Sequence, residues 1–110
     1  MNKGEAAYAQ YLEAQKHVGD IAGYWFESVN LKLAKELHYR PDFMVLGKDG
    51  VLYLDDVKGR TTRTRKDGTK KPAAWIEGDA RPKILCAARI FPFVFRIAYP
   101  LAGGWVVEQV

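Results

Sequence analysis

The sequence of 110 residues predicts an α/β fold. Three observations predict it. A Pro-free N-terminal segment carries apolar residues at helical spacing, hairpin-linked segments rich in aromatic and β-branched residues follow it, and a second helical segment precedes a strongly alternating tail. The implied order is helix, three strands, helix, two strands, an α/β sandwich of modest size. At about 100–150 residues per domain, the chain suits one domain spanning residues 1–110. Its length excludes a Rossmann or TIM-barrel enzyme.

The first helix is expected from residue 3 to about 17, a stretch rich in Ala, Glu, Gln and Lys with Tyr8, Leu12 and Gln15/Lys16 at helical spacing. Gly19 and Asp20 end it. IAGYWFESVNLKL reads as one strand, with a helical turn an option at Ala34 to Leu37, and HYRPDFMVL reads as the second. KDG at 48–50 is a hairpin signal, so VLYLDDVKG becomes the third strand. Asp79 suits an N-cap with Pro82 in the first turn of a helix through about Arg89, which Pro92 stops. FVFRIAY sets Phe93, Phe95, Ile97 and Tyr99 to one side, PLAGG reads as a turn, and WVVEQV is the last strand. Trp25, Phe26, Phe43, Phe91, Phe93 and Phe95 are expected in the core, and Trp75 is expected to pack rather than stack on a base.

No apolar run approaches the ~18–20 residues that cross a bilayer, and MNKGEAAYAQ lacks the apolar stretch of a signal peptide. A cytoplasmic protein without a membrane partner is expected. Cys86, His17 and His38 are too few for a disulfide framework or a thiolate/imidazole zinc cluster, so any metal must be held by oxygen. A Gly-rich phosphate loop is absent, which argues against use of nucleotide triphosphates.

The net charge of +4 is unevenly placed. Residues 60–71, RTTRTRKDGTKK, hold Arg60, Arg63, Arg65, Lys66, Lys70 and Lys71 against one acid, Asp67, leaving eleven bases and twelve acids elsewhere. This reads as a basic loop over about residues 60–72 on a nearly neutral body. A loop of that kind fits a polyanion, whose condensed counterions it would release, or serves only solubility.

The hairpin from Tyr39 to Lys58 carries the chemistry. Alternation along a strand puts Asp56 and Lys58 on one face with Leu52 and Leu54, while Asp55 and Val57 point the other way. Asp42 follows Pro41 at the start of the preceding strand, and symmetry about position 49 sets Asp42 opposite Asp56. Two carboxylates so close are costly unless a cation lies between them, and hard oxygen donors favour Mg²⁺ or Mn²⁺. The plain alternative is a surface hairpin with a salt bridge of little consequence.

Pro41-Asp42 and, after thirteen residues, Asp56-Val57-Lys58 resemble the PD-(D/E)xK nuclease superfamily. GEAAYAQYL, YRPDF, DVKG and RPKILCAARIFPF look like a small phage-encoded branch of it. The resemblance implies a restriction-endonuclease-like αβββαβ core, a mixed central sheet flanked by helices. It implies phosphodiester hydrolysis of DNA with Mg²⁺ or Mn²⁺ held by Asp42, Asp56, the Val57 carbonyl and an acid of the first helix, and with Lys58 orienting water. Glu5 is the preferred acid over Glu13, because it lies on the stripe of Tyr8, Ala9 and Leu12; its ordinary role would be to complement the helix dipole. Phosphate contacts are expected from Arg60, Arg63, Arg65, Lys66, Lys70 and Lys71, and from Lys83, a basic position recurring in that branch, with Arg81 and Arg89 extending the surface. The implied roles are phage DNA replication or recombination, on branched DNA such as Holliday junctions or on plain duplex. A homodimer would let one small site serve two strands. The alternative is a non-catalytic nucleic-acid-binding protein that keeps the fold.

Overall fold

The structure is a computed structural model that describes every residue except Glu77 and Asp79. The expected N-cap Asp79 therefore lies outside the described residues. Helix α1 spans Lys3–His17, as the sequence predicts. Its N-cap Asn2 accepts from the Glu5 N–H at 2.8 Å while the Glu5 carboxylate accepts from the Asn2 N–H at 2.8 Å, a reciprocal capping box.

The strands are β1 Ile21–Phe26, β2 Leu31–Ala34, β3 Leu37–Tyr39, β4 Phe43–Gly47, β5 Leu52–Val57, β6 Gly59–Thr64, β7 Lys70–Trp75, β8 Val94–Leu101 and β9 Gly104–Gln109, with helix α2 at Ala80–Ile90. A mixed five-stranded sheet runs β1-β4-β5-β8-β9. Strands β1, β4 and β5 form an antiparallel meander, α2 crosses over, and β8 pairs parallel with β5 before β9 returns antiparallel. A parallel neighbour needs such a crossover, because a tight turn cannot deliver it. No helix among the described residues is long and apolar enough to cross a membrane.

Alternation along β5 gives the sheet two packed faces. Tyr8 and Leu12 of α1 cover Phe43, Val45 and Ala98, and Tyr8 meets Trp105 edge-on at 4.9 Å between ring centroids. Ile84 and Ala87 of α2 cover Leu54, Phe95 and Ile97 on the opposite face, helped by Leu31 and Tyr39. Each large side chain so buried contributes about 1.5–3 kcal/mol.

Four expectations change. The strand read from 21 to 33 is two, because the chain turns at Glu27, where φ is 47°, and no helical turn forms at Ala34 to Leu37: Lys35 and Glu36 make the hairpin turn between β2 and β3. HYRPDFMVL likewise breaks at the buried Pro41, which lacks an N–H for a ladder. The basic segment is a two-stranded antiparallel hairpin, β6-β7, and not a loop. Trp25, expected in the core, is 45% exposed. Trp25 projects from edge strand β1 with its indole over Gly23, where a Cβ would lie 3.0 Å from the ring.

The hairpin was concealed by its composition, yet its turn repeats a signal used eighteen residues earlier. Lys66-Asp67-Gly68 reproduces Lys48-Asp49-Gly50. In each, the Asp Oδ1 accepts from the N–H two residues on at 3.0 Å, and the glycine adopts a positive φ of 85° or 87°. A type I turn closed by a left-handed residue needs that glycine.

Candidate active site

The site forms where β4 begins and β5 ends. Phe43 pairs with Asp55, and one step further along the same register Asp42 meets Asp56 on the face covered by α2. Asp42 stands between Pro41 and the first residue of β4, and its side chain reaches β5: Asp42 Oδ2 accepts from the Val57 N–H at 2.8 Å. Its carbonyl accepts from the Glu27 N–H at 2.9 Å, and Arg40 pairs with Glu27 at 3.5 Å.

Electrostatics at this point are unfavourable to two free carboxylates. Burial, then the charge and hydrogen bond of Asp56, push the Asp42 carboxyl up to about 7, against the opposing hydrogen bond from the Val57 N–H; the Glu5 charge adds to the rise. Asp56 is 4% exposed, with Lys58 Nζ 3.5 Å from its Oδ2. The Lys58 N–H donates to the Ala98 carbonyl at 2.8 Å, which fixes the root of the lysine beyond the end of β5. Tyr39 stands against Asp56, and burial followed by that carboxylate holds its phenol protonated far above the ordinary range. Tyr39 had no distinguishing signal in the sequence, because its placement depends on the break at Pro41.

Thus Asp42, Asp56 and Lys58 converge as the spacing predicts. Glu5 reaches the site as a charge felt by Asp42, but its carboxylate is engaged in the capping box. Val57 supplies its N–H to Asp42, and its side chain packs on the α1 face, where a Cβ on Gly4 would lie 3.8 Å away. Among the described residues no group of three or more His, Cys, Asp or Glu side chains is placed to hold a metal. Two carboxylates still fit Mg²⁺, which keeps several waters and commonly takes only one or two protein carboxylates.

Asp55, the other half of the doublet, faces α1 and is fully buried. It accepts from the Tyr8 hydroxyl at 2.6 Å and from Arg96 Nε and Nη2 at 2.7 Å each. Arg96 stacks over Tyr53 at 4.0 Å. Strand alternation foretold the direction of Asp55; only tertiary structure supplies its two partners.

The basic residues are placed around the β6-β7 hairpin. Arg60 and Arg63 lie on β6, Arg65 and Lys66 at the turn, and Lys70 and Lys71 on β7, all exposed. Lys83 is half-buried in the first turn of α2. Because β6 begins at Gly59, the hairpin leaves the sheet directly beside Lys58. No family model, no curated protein and no solved structure matches this chain.

Proposed function

We propose that the chain is a divalent-metal-dependent DNA endonuclease of the PD-(D/E)xK type. The observation that carries this reading is the meeting of Asp42, one residue before β4, with Asp56 near the end of the neighbouring strand β5, with Lys58 Nζ 3.5 Å from Asp56. A helix, an antiparallel meander, a crossover helix and a parallel strand are also the order that the motif resemblance implies.

A bound Mg²⁺ or Mn²⁺ supplies Lewis acidity toward a phosphate oxygen and lowers the pKa of a coordinated water. Asp42 and Asp56 would hold it, with the Val57 carbonyl as a further donor; Asp42 Oδ2 already accepts from the Val57 N–H, which leaves Oδ1 for such a role. Glu5 adds negative field from its capping position. Lys58 orients the attacking water and offsets charge gathering on the phosphate, a task suited to a compact ammonium. The β6-β7 cations and Lys83 position the DNA backbone without reading bases. Substrates are duplex or branched DNA, and two-strand cutting asks for a homodimer.

The test is incubation of labelled duplex, single-stranded and four-way-junction DNA with Mg²⁺, with Mn²⁺ and with EDTA. Cleavage that disappears in EDTA and in Asp56→Asn, with binding retained, supports the reading. Binding without cutting under every metal condition assigns a non-catalytic binder.

A further inference from the structure

A cavity of about 120 Å³ opens between the β6-β7 hairpin, the start of α2 and the end of β9. Arg63, Lys71 and Arg81 line it, with Ile97, Glu108 and Gln109. None of the three cations forms an ion pair among the described residues, and Glu108 accepts instead from the Tyr99 hydroxyl at 3.4 Å.

Each placement runs against folding preference. Arg63 and Lys71 are register partners, and like charges directly opposite on a hairpin repel. Arg81 stands in the first turn of α2, which holds no acid, at the positive end of the helix dipole. A bound anion would relieve both conflicts at once. The cavity also shares a sheet face with the acid pair: Ile97 is the register partner of Asp56 on β8, and Glu108 that of Ile97 on β9. Two strand spacings make a separation of about 10 Å, roughly three nucleotides of rise along one DNA strand.

We propose that Arg63, Lys71 and Arg81 form a second phosphate subsite, which holds a backbone phosphate of the nucleic acid within about three nucleotides of the Asp42–Asp56 centre. The inference deepens the nuclease reading and uses its substrate class. The subsite fixes the register of the nucleic-acid strand relative to the acid pair, which does the cutting.

The experiment measures binding of a fluorescein-labelled duplex in EDTA over a salt series. It compares the full chain, the triple variant Arg63→Ala/Lys71→Ala/Arg81→Ala, and a charge-matched variant Lys16→Ala/Lys35→Ala/Lys48→Ala. The subsite variant is expected to bind about tenfold more weakly or worse, with a salt slope shallower by about two to three, while the charge-matched variant binds as the parent does. Arg81→Glu, which suits the helix dipole, is expected to raise the melting temperature and lower DNA affinity together. Equal losses in both triple variants, or no DNA binding by the parent chain, overturn the subsite. Competition by inorganic phosphate at concentrations too low to act through ionic strength also overturns it, in favour of a small-anion site. Binding that depends on the three cations in a parent chain that never cuts sinks the nuclease reading and leaves the subsite standing. Cutting unaffected by the triple variant does the reverse.

Discussion

The Tyr8 hydroxyl donates a 2.6 Å hydrogen bond to Asp55 Oδ2, and so ties the first helix to the strand whose next residue is Asp56. Asp55 shares its two oxygens between Tyr8 and the Arg96 guanidinium, and no part of it reaches solvent. The pair Asp55-Asp56 thus divides its work by face: Asp55 holds the fold, and Asp56 faces the candidate site.

Removing Asp55 leaves the Arg96 charge half-buried without its partner. Asp55→Ala is expected to lose about 3–5 kcal/mol of stability, and Tyr8→Phe about 1.5–3 kcal/mol, in urea denaturation. A loss below about 1 kcal/mol for Asp55→Ala would show that the buried network does not hold α1 to the sheet.

Asp42 predicts a stability profile for the metal-free protein. Its carboxyl rises from 3.8 to about 7 on folding, so the folded chain binds this proton more tightly than the unfolded one. The stabilisation is complete below about pH 4 and is lost as pH rises through about 7. In EDTA the melting temperature is expected to fall between about pH 5 and 8, and Asp42→Asn is expected to flatten that fall. Mg²⁺ at about pH 8 should restore the lost stability by binding the folded state. A profile that is flat in the parent chain contradicts the account of this pair.

Glu5 has two roles that substitution separates. Glu5→Gln keeps an acceptor for the Asn2 N–H and removes the charge, whereas Glu5→Ala removes both. Glu5→Gln is expected to lose only the dipole share, about 0.3–1 kcal/mol, and to cut within about tenfold of the parent rate, while Glu5→Ala loses about a further 0.5 kcal/mol with the cap bond. Abolished cutting in Glu5→Gln would make its carboxylate a direct metal ligand.

Much of the fold was legible because its signals are local. The Pro-free run of α1, the KDG turn and the alternation of β8 each state their structure within a few residues. The opposition of Asp42 and Asp56 followed from counting outward from that turn. What the sequence concealed depends on distant partners or on competing signals: the breaks at Glu27 and Pro41, the Tyr39 contact with Asp56, and the Tyr8–Asp55–Arg96 network. The β6-β7 hairpin was the exception, since its high charge density masked a turn identical to the first.

That identity has a measurable consequence. Gly50→Ala strains the turn joining the two site strands and is expected to lower global stability by about 1–2 kcal/mol. Gly68→Ala strains only the peripheral hairpin. It is expected to leave the main unfolding transition within about 0.5 kcal/mol of the parent. Equal losses would show that β6-β7 unfolds together with the central sheet.

The central claim is that Asp42 and Asp56 hold one dication between them. Titration of the full chain with Mn²⁺ near pH 7, followed by calorimetry and by loss of the free-ion paramagnetic resonance signal, tests it directly. One ion per chain is expected, with binding reduced at least tenfold in both Asp42→Asn and Asp56→Asn and little changed in Lys16→Ala. Mn²⁺ binding that survives both carboxylate substitutions, or that is absent from the parent chain, contradicts the claim.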